Sequence, residues 1–437
     1  MPNRPTVAAL ILAAATLFVP GIPGVPSAAL AQSRPAGVTA IRCGTLIDGK
    51  SSARAENVVV LVEEGRIAAV GRDVVVPAGA EVIDLSHETV LPGLIDAHTH
   101  LLLHDGPYND QLLKESIPMR AILGVEAALK TLEAGFTTVR DMETEGAMYA
   151  DVDLRDAIAG GHVPGPRVVT TTRSLVTTGS YAPFGMSWEL DLPHGAQEAD
   201  GADGVRKAVR EQISHGADWI KIYADSRYRG RVADSLAAMP TFTDNELRAI
   251  VDEAERGGVH VAAHAYTDEA ARRAVSAGVK SIEHGLYLSD ATFRLMKKKG
   301  VAWVPTLIAY YTRAHDTTSN PATRKQYEYS VARHRETFAR ALKSGVRIVF
   351  GTDMYFPHGA GTKEFGLMAD YGMATMEIIR SATGHAAQLL GVSKETGTIE
   401  PGKAADIVAV KGDVVNNIRL LERVSFVMKG GRVYRKD

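Results

Sequence analysis

A single cysteine in 437 residues, Cys43, rules out an intramolecular disulfide, so the fold has to be held by its packed core. Excess charge of one sign is missing as well. The formal net charge is -2 at pH 7, and no Lys/Arg cluster is interleaved with aromatics. Nucleic acid and anionic membrane surfaces both select basic faces, so neither is an expected partner. Short-period repeats and low-complexity tracts are absent, which excludes a solenoid. Long apolar runs are absent after the amino terminus. The one near it, Val7 to Val19, is short for a span and is followed by Pro20, Pro23 and Pro26. With Arg4 before it and Ala29-Leu30-Ala31 after it, this order reads as a secretory signal peptide over residues 1–31, cleaved near Ala31. The mature chain is then expected to be exported, periplasmic or secreted, with no membrane span.

What is present is a soluble composition, 45% apolar and 23% charged, arranged in two patterns. Short β segments occupy Val38–Leu46, Asn57–Glu63, Arg66–Val70 and Glu81–Leu85. They return after Gly397 as Asp406–Lys411 and Val424–Tyr434, the last broken by a Gly430-Gly431 turn. The expectation is a small β-sandwich domain built from both chain ends, residues 32–93 and 398–437. Cys43 falls here, far from any histidine-rich segment, and reads as a packed small residue.

Between them, strand-like and helix-like runs alternate. The strands are Leu94–Leu101, Phe136–Met142, Arg167–Thr172, Trp219–Ala224, Val259–Ala265, Ser281–His284, Ala302–Leu307 and Arg347–Asp353. A helix over Ile117–Ala134 shows apolar Ile122, Val125, Leu129 and Leu132 at helical spacing, and Thr243 with Glu246 makes a capping box for another. Eight alternations predict an α/β fold, a (β/α)8 TIM barrel over residues 94–397. Chemistry in such a barrel sits at the C-terminal ends of the strands.

Six side chains with metal-ligand chemistry lie on those strands. His98 and His100 flank Thr99, and strand residues two apart share a face, although a lone His-x-His is also an ordinary polar pair. In Trp219-Ile220-Lys221-Ile222-Tyr223, alternation sends Lys221 inward if the isoleucines face the helices. A free ammonium buried beside histidines is unfavourable. Carboxylation by CO2 would turn it into an anionic two-oxygen ligand; the other reading is a structural lysine paired with an acid. His264 and His284 end two further strands, and neutral imidazole suits zinc and similar ions. His260 lies four residues before His264, too deep for the same ion. Asp353 closes the eighth strand, where a surface helix cap is the alternative.

Pro92-Gly93-Leu94-Ile95-Asp96-x-His98-x-His100, Lys221, His264, Ile282-Glu283-His284-Gly285 and Gly351-Thr352-Asp353 resemble the amidohydrolase superfamily, binuclear subtype. Ile399-Glu400-Pro401-Gly402-Lys403-x-Ala405-Asp406 is similar to its C-terminal return. Ile220-Lys221-Ile222-Tyr223, Ala263-His264-Ala265 and the exported setting resemble its Xaa-Pro and Xaa-Arg/Lys dipeptidase branch, near which lie amidohydrolases that release phenylalanine from ochratoxin A. The resemblance implies two divalent metal ions, zinc the expected element. His98, His100 and Asp353 would hold one, His264 and His284 the other, with carboxylated Lys221 bridging. A hydroxide shared by the ions would attack, with Asp353 as the catalytic proton carrier. It also implies a homo-oligomer, an octamer among the family's assemblies.

The implied activity is dipeptidase- or carboxypeptidase-like hydrolysis of the amide before a C-terminal residue, on Xaa-Pro-type dipeptides or N-acyl amino acids. A lactonase or cyclic-amide hydrolase is the alternative within the superfamily. A non-catalytic scaffold is the alternative outside enzymes, and six filled ligand positions oppose it. Tyr223, Arg227, Tyr228 and Arg229 follow strand four. Phenols there could bond a polarised carbonyl, and a guanidinium could take a carboxylate, although a solvated basic loop is equally consistent. Tyr181, Phe184 and Trp188, in Thr177 to Trp188, would form an apolar wall opposite; this stretch lacks the Gly-Gly-His-Gly run of many relatives.

Overall fold

The computed structural model describes residues 37–181, 183, 185–187, 189–226, 238–354 and 357–437. Residues 1–31, Arg227, Tyr228, Arg229, Phe184 and Trp188 therefore lie outside the described residues.

Both chain ends contribute to one seven-stranded sheet, ordered Arg432–Lys436, Phe426–Lys429, Ile407–Lys411, Glu81–Pro92, Val38–Ile47, Arg54–Glu63, Arg66–Gly71. Its two long central strands, Val38–Ile47 and Glu81–Pro92, pair in parallel with a register shift between Cys43 and Thr45. The sheet curls over one core that includes Ile41, Cys43, Val60, Ile83, Ile407 and Phe426. The edge strand Arg66–Gly71 reaches residues 402–405, with Ile67 N donating to Lys403 O at 2.8 Å and Ala405 N to Gly65 O at 2.9 Å. Cys43 is 2% exposed, and burial pushes its thiol up to about 12, so it is packing and not a nucleophile. Asp406, 3% exposed, couples this sheet to the barrel. Its carboxylate accepts from Arg167 at 2.9 Å and from Gly430 N at 2.9 Å.

The barrel strands follow the alternating pattern, with two departures. The third strand is split: Arg167–Thr170 pairs with Phe136–Asp141, and Leu175–Val176 pairs with Trp219–Tyr223. Thr172, at φ 57°, makes the break. The eighth segment makes single bridges, Trp303 to Ile348 and Thr99 to Met354, in place of a regular strand. Backbone bonds from Ala97 N to Phe350 O (3.0 Å) and from Val349 N to Trp303 O (2.9 Å) close the ring there. Gly351 is required at that seam, because a Cβ would sit 3.0 Å from His98 Cβ and 2.3 Å from Val304 Cγ1.

Helices wrap the barrel for local reasons. Asp244–Arg256 has the full capping box, Thr243 Oγ1 accepting from Glu246 N at 3.3 Å and Glu246 Oε2 from Thr243 N at 2.7 Å. Ile220, Ile222, Val261, Ile282 and Phe350 pack toward the helices. Ile95, Ala97, Trp219, Ala262, Val304 and Val349 form a separate apolar cluster inside the barrel. Among the described residues no helix is long and apolar enough to cross a membrane.

Candidate active site

Above the apolar interior, the C-terminal ends of the strands gather the six side chains around one cavity of about 590 Å³. Alternation alone accounts for two of them, Lys221 and His264, the latter sharing the face of Ala262 opposite Val261 and Ala263. Lys221 follows Trp219 into the barrel while Ile220 and Ile222 face the helices. Alternation would send His98 to the face of Leu94, away from Ile95 and Ala97. The register shift between Asp96 and Thr99 turns it inward. His284 and Asp353 turn by backbone strain instead, with φ of 68° and 53°. Non-glycine residues adopt such angles only where their surroundings enforce them, commonly at functional sites.

The enforcing contacts are visible. Asp96, 3% exposed, accepts from His98 N at 3.0 Å, Thr352 N at 3.1 Å and Thr352 Oγ1 at 2.7 Å, tying the first strand to the eighth segment. Burial pushes its carboxyl up to about 7. Asp353 N donates to His98 O at 2.7 Å. Beneath them, Arg140 and Glu283, both fully buried, pair at 2.9 Å, and Arg140 Nε donates to Ala97 O at 2.7 Å. The other Glu283 oxygen lies 2.8 Å from His98 Nδ1, the carboxylate–histidine arrangement that orients ligating imidazoles. Burial opposes the Glu283 charge, but Arg140, His98 and Lys221 hold its carboxyl down at about 2. Likewise His100 Nδ1 meets Glu143 O at 3.2 Å, and His284 Nδ1 meets Thr306 Oγ1 at 2.9 Å. Each ring therefore turns its second nitrogen toward the cavity.

There the groups converge. His100 Nε2 is 3.0 Å and His98 Nε2 3.5 Å from Asp353 Oδ1. One ligand atom from each of these three residues lies within 4.8 Å of the others. His98 Nε2 is buried with no hydrogen-bond partner. The His264 and His284 rings stand 4.6 Å apart, and His98 lies 4.9 Å from His284. Lys221 is 1% exposed, its Nζ 5.5 Å from the centre of the Tyr223 ring, and burial lowers its pKa. Among the described residues no carboxylate comes within ion-pair distance of it, and Glu283, Glu143 and Asp353 act on its charge from farther away. Burial holds His284 well below its usual value, in the neutral form a metal requires. Burial works against the Asp353 charge, yet His100 and His98 keep it ionised well below the usual carboxylate range. An orphaned imidazole nitrogen, a neutral His284 ring, an ionised carboxylate and a buried amine fit a metal centre, and the negative charge of Asp353, which against burial raises the His100 pKa to about 9, is the charge a cation would take up.

On the substrate side, Tyr223 and Tyr181 line the cavity, but their protons are committed. Tyr223 donates to Glu143 Oε2 at 3.0 Å, and Tyr181 to Glu145 at 2.8 and 3.0 Å. His260 lies four residues below His264, against Trp219 at 5.2 Å and away from the cavity. Sequence reasoning missed Arg140, Glu143, Glu145, Thr306 and the orienting role of Glu283. For Glu283 the signal existed: it alternates with Ile282, so it had to face inward. Arg140 lies on the strand Phe136–Asp141, and Glu143, Glu145 and Thr306 are brought in by loops.

Histidines and a carboxylate on the C-terminal rim of a barrel define an α/β-barrel hydrolase. Comparison with known proteins agrees. The Amidohydrolase family model matches residues 89–434. The chain belongs to this family and is a hydrolase acting on amide bonds. It is 29% identical over 434 residues to the ochratoxinase of Aspergillus niger, covering 93% of this chain and 88% of that protein. Among solved structures it resembles a Xaa-Pro dipeptidase with bound methionine in the active site (35% identity, TM-score 0.83, 91% of this chain and 100% of that one). It also resembles a prolidase complexed with N-methylphosphonate-L-proline (31% identity, TM-score 0.82, 92% and 100%).

Proposed function

We propose that the protein is a binuclear metal-dependent amidohydrolase. It cleaves the amide before a C-terminal amino acid, in Xaa-Pro-type dipeptides or N-acyl amino acids, ochratoxin A among them. The observation that supports this most is the convergence of His98, His100 and Asp353 within 4.8 Å, beside the His264–His284 pair and the buried Lys221. His98, His100 and Asp353 would hold one ion, His264 and His284 the other, with Lys221, carboxylated by CO2, between them. Two divalent cations, zinc the expected element, would supply Lewis acidity to the attacking water and the scissile carbonyl.

The chain's own groups do the rest. Glu283, the Glu143 carbonyl and Thr306 fix the ring orientations of His98, His100 and His284. Asp353, ionised and facing the cavity, takes the proton from the attacking water and returns it to the leaving nitrogen. Tyr223 and Tyr181 wall the cavity with their rings, 5.0 Å apart. Arg227 and Tyr228 are the proposed holders of the substrate carboxylate.

The test is a library of dipeptides and N-acyl amino acids incubated with the zinc-loaded protein and read by released amino acid. Amidating the C-terminal carboxylate of a good substrate should cost roughly 30- to 1000-fold in kcat/KM. Equal rates on acid and amide would move the assignment to a lactonase or cyclic-amide hydrolase. Export with cleavage near Ala31 and a homo-oligomer, up to an octamer, belong to the same proposal. N-terminal sequencing of the mature protein and light scattering check them.

A further inference from the structure

Glu145 enters the cavity wall from the loop after the second barrel strand, and nothing in the reaction above uses it. It is 5% exposed, lines the cavity, and is held at φ 50°. Arg120, 2% exposed, grips that loop from behind. Its guanidinium donates to backbone oxygens: Glu145 O at 2.7 Å, Thr144 O at 3.0 Å and Leu102 O at 2.9 and 3.2 Å. Arg120 thus builds the loop, and the Glu145 carboxylate makes no ion pair among the described residues. The Tyr181 phenol donates to it, reaching both oxygens. A carboxylate has about four acceptor positions, so capacity toward the cavity remains. Arg120 offsets the Glu145 charge from behind, but no cation is hydrogen-bonded to the carboxylate among the described residues, and its place in a substrate cavity turns that remaining cost into selectivity for a cation.

The surroundings fit an ammonium. Tyr108 and Tyr181 stand edge to face at 6.4 Å beside the carboxylate, and Tyr181 packs 5.0 Å from Tyr223. Aromatic rings around an acid are the usual recognition surface for an amine. Two residues back, Glu143 is fully buried with Oε1 unpartnered, a further polar oxygen beneath the first. The subsite is next to the reacting centre. Tyr223 lies 4.4 Å from the His264 ring, and the Glu143 carbonyl contacts His100. In a dipeptide the α-ammonium is two bonds from the scissile carbonyl carbon, so the two must be bound side by side.

We infer that Glu145, framed by Tyr108 and Tyr181, is an ammonium subsite that makes a free amino terminus the substrate feature this enzyme selects. This rests on the amide-hydrolase reading and narrows it: dipeptides with a free α-amine are preferred over N-acyl amino acids of the ochratoxin type.

The experiment measures kcat/KM of the zinc-loaded full chain on three matched proline amides: a free dipeptide, its N-acetyl form, and the desamino analogue with hydrogen in place of the ammonium. A charge-assisted hydrogen bond predicts a preference for the free dipeptide of roughly 30-fold over the desamino analogue. In Glu145→Gln that ratio should collapse to within about threefold, whatever the variant's absolute rate. Tyr181→Phe, which keeps the ring and the charge but frees the carboxylate, should lower the ratio part way. N-acetyl dipeptides ending in lysine form a second arm. A Glu145-dependent preference for them would place the recognised ammonium on the leaving residue's side chain, supporting a cation subsite but overturning the amino-terminal assignment. Equal wild-type rates on free and desamino substrates, or a ratio unchanged in both variants, would overturn the inference. Failure to cleave any of the amides would instead refute the amide-hydrolase reading beneath it.

Discussion

The curled sheet at the chain ends and the rim of the barrel are built by opposite rules. In the sheet, apolar residues such as Ile41, Val60, Ile407 and Phe426 are inside, and the ion pairs Lys50–Glu400, Arg54–Asp413 and Arg66–Glu395 are outside, each group 33% exposed or more. At the rim the ionisable groups are inside: Asp96, Arg140, Asp141, Glu143, Glu145, Lys221 and Glu283 are all 5% exposed or less. Strain divides the same way. The sheet has positive φ at Asn57 and Glu64, whereas Glu145, Met148, Thr172, His284, Thr306 and Asp353 carry it around the rim. One region is arranged for stability. The other sets buried charge and strained backbone against packing, and that is what aims ligands into a cavity.

Breaking the rim should therefore have the largest effects. Lys221→Ala should lose most bound metal and nearly all turnover, measured by metal analysis per chain; two metals and full turnover would refute the carboxylated bridge. After chelation, metal with bicarbonate should restore the wild type better than metal alone. Asp353→Asn keeps the shape and removes the proton carrier, so turnover should fall roughly 10²-fold or more with KM less affected. Near-normal turnover would assign the proton to another group.

Glu283→Gln tests the buried network directly. It leaves Arg140 charged and unpaired in the barrel interior, so denaturant unfolding of the metal-free protein should show a loss of about 3–5 kcal/mol. The pH dependence has a definite sign. A carboxyl lowered from 4.5 to about 2 contributes stability that is fully present above 4.5 and lost as pH falls toward 2. Acid unfolding of the wild type across that window should be steeper than in Glu283→Gln. The smallest effect belongs to the sheet. Cys43→Ala removes one buried atom at 2% exposure and should cost about 1 kcal/mol, leaving metal content and kcat/KM unchanged. A loss of activity there would mean that the two regions are coupled through more than their shared boundary.

Much of this was legible before any coordinates. Strand alternation is local, so Lys221 could be placed inside the barrel from its isoleucine neighbours, and Glu283 could have been. The capping box of Thr243 and Glu246 was readable because it spans three residues. His98, His284 and Asp353 were readable as residue types at strand ends, but not as directions, because a register shift and two positive φ angles override the period of two. The apolar pattern of the eighth segment predicts a strand. The structure gives it single bridges, because Gly351 and the turn at Asp353 fit it against His98 in place of a full ladder.

The sequence by itself thus determined the alternation that makes a barrel, the return of the chain ends to a common sheet, and the set of ligand-type residues at the strand ends. These follow from periodicity and from chemistry carried by single side chains. Tertiary structure alone decided that the phenols of Tyr181 and Tyr223 are spent on Glu145 and Glu143, that Arg140 and Glu283 stand beneath His98, and that the Glu145 carboxylate faces the cavity with no ion pair among the described residues. Each of those depends on residues 36 to 185 positions apart in the chain or on a loop's exact turn. Burial and pairing are properties of the assembled fold, so they cannot be read from any one segment.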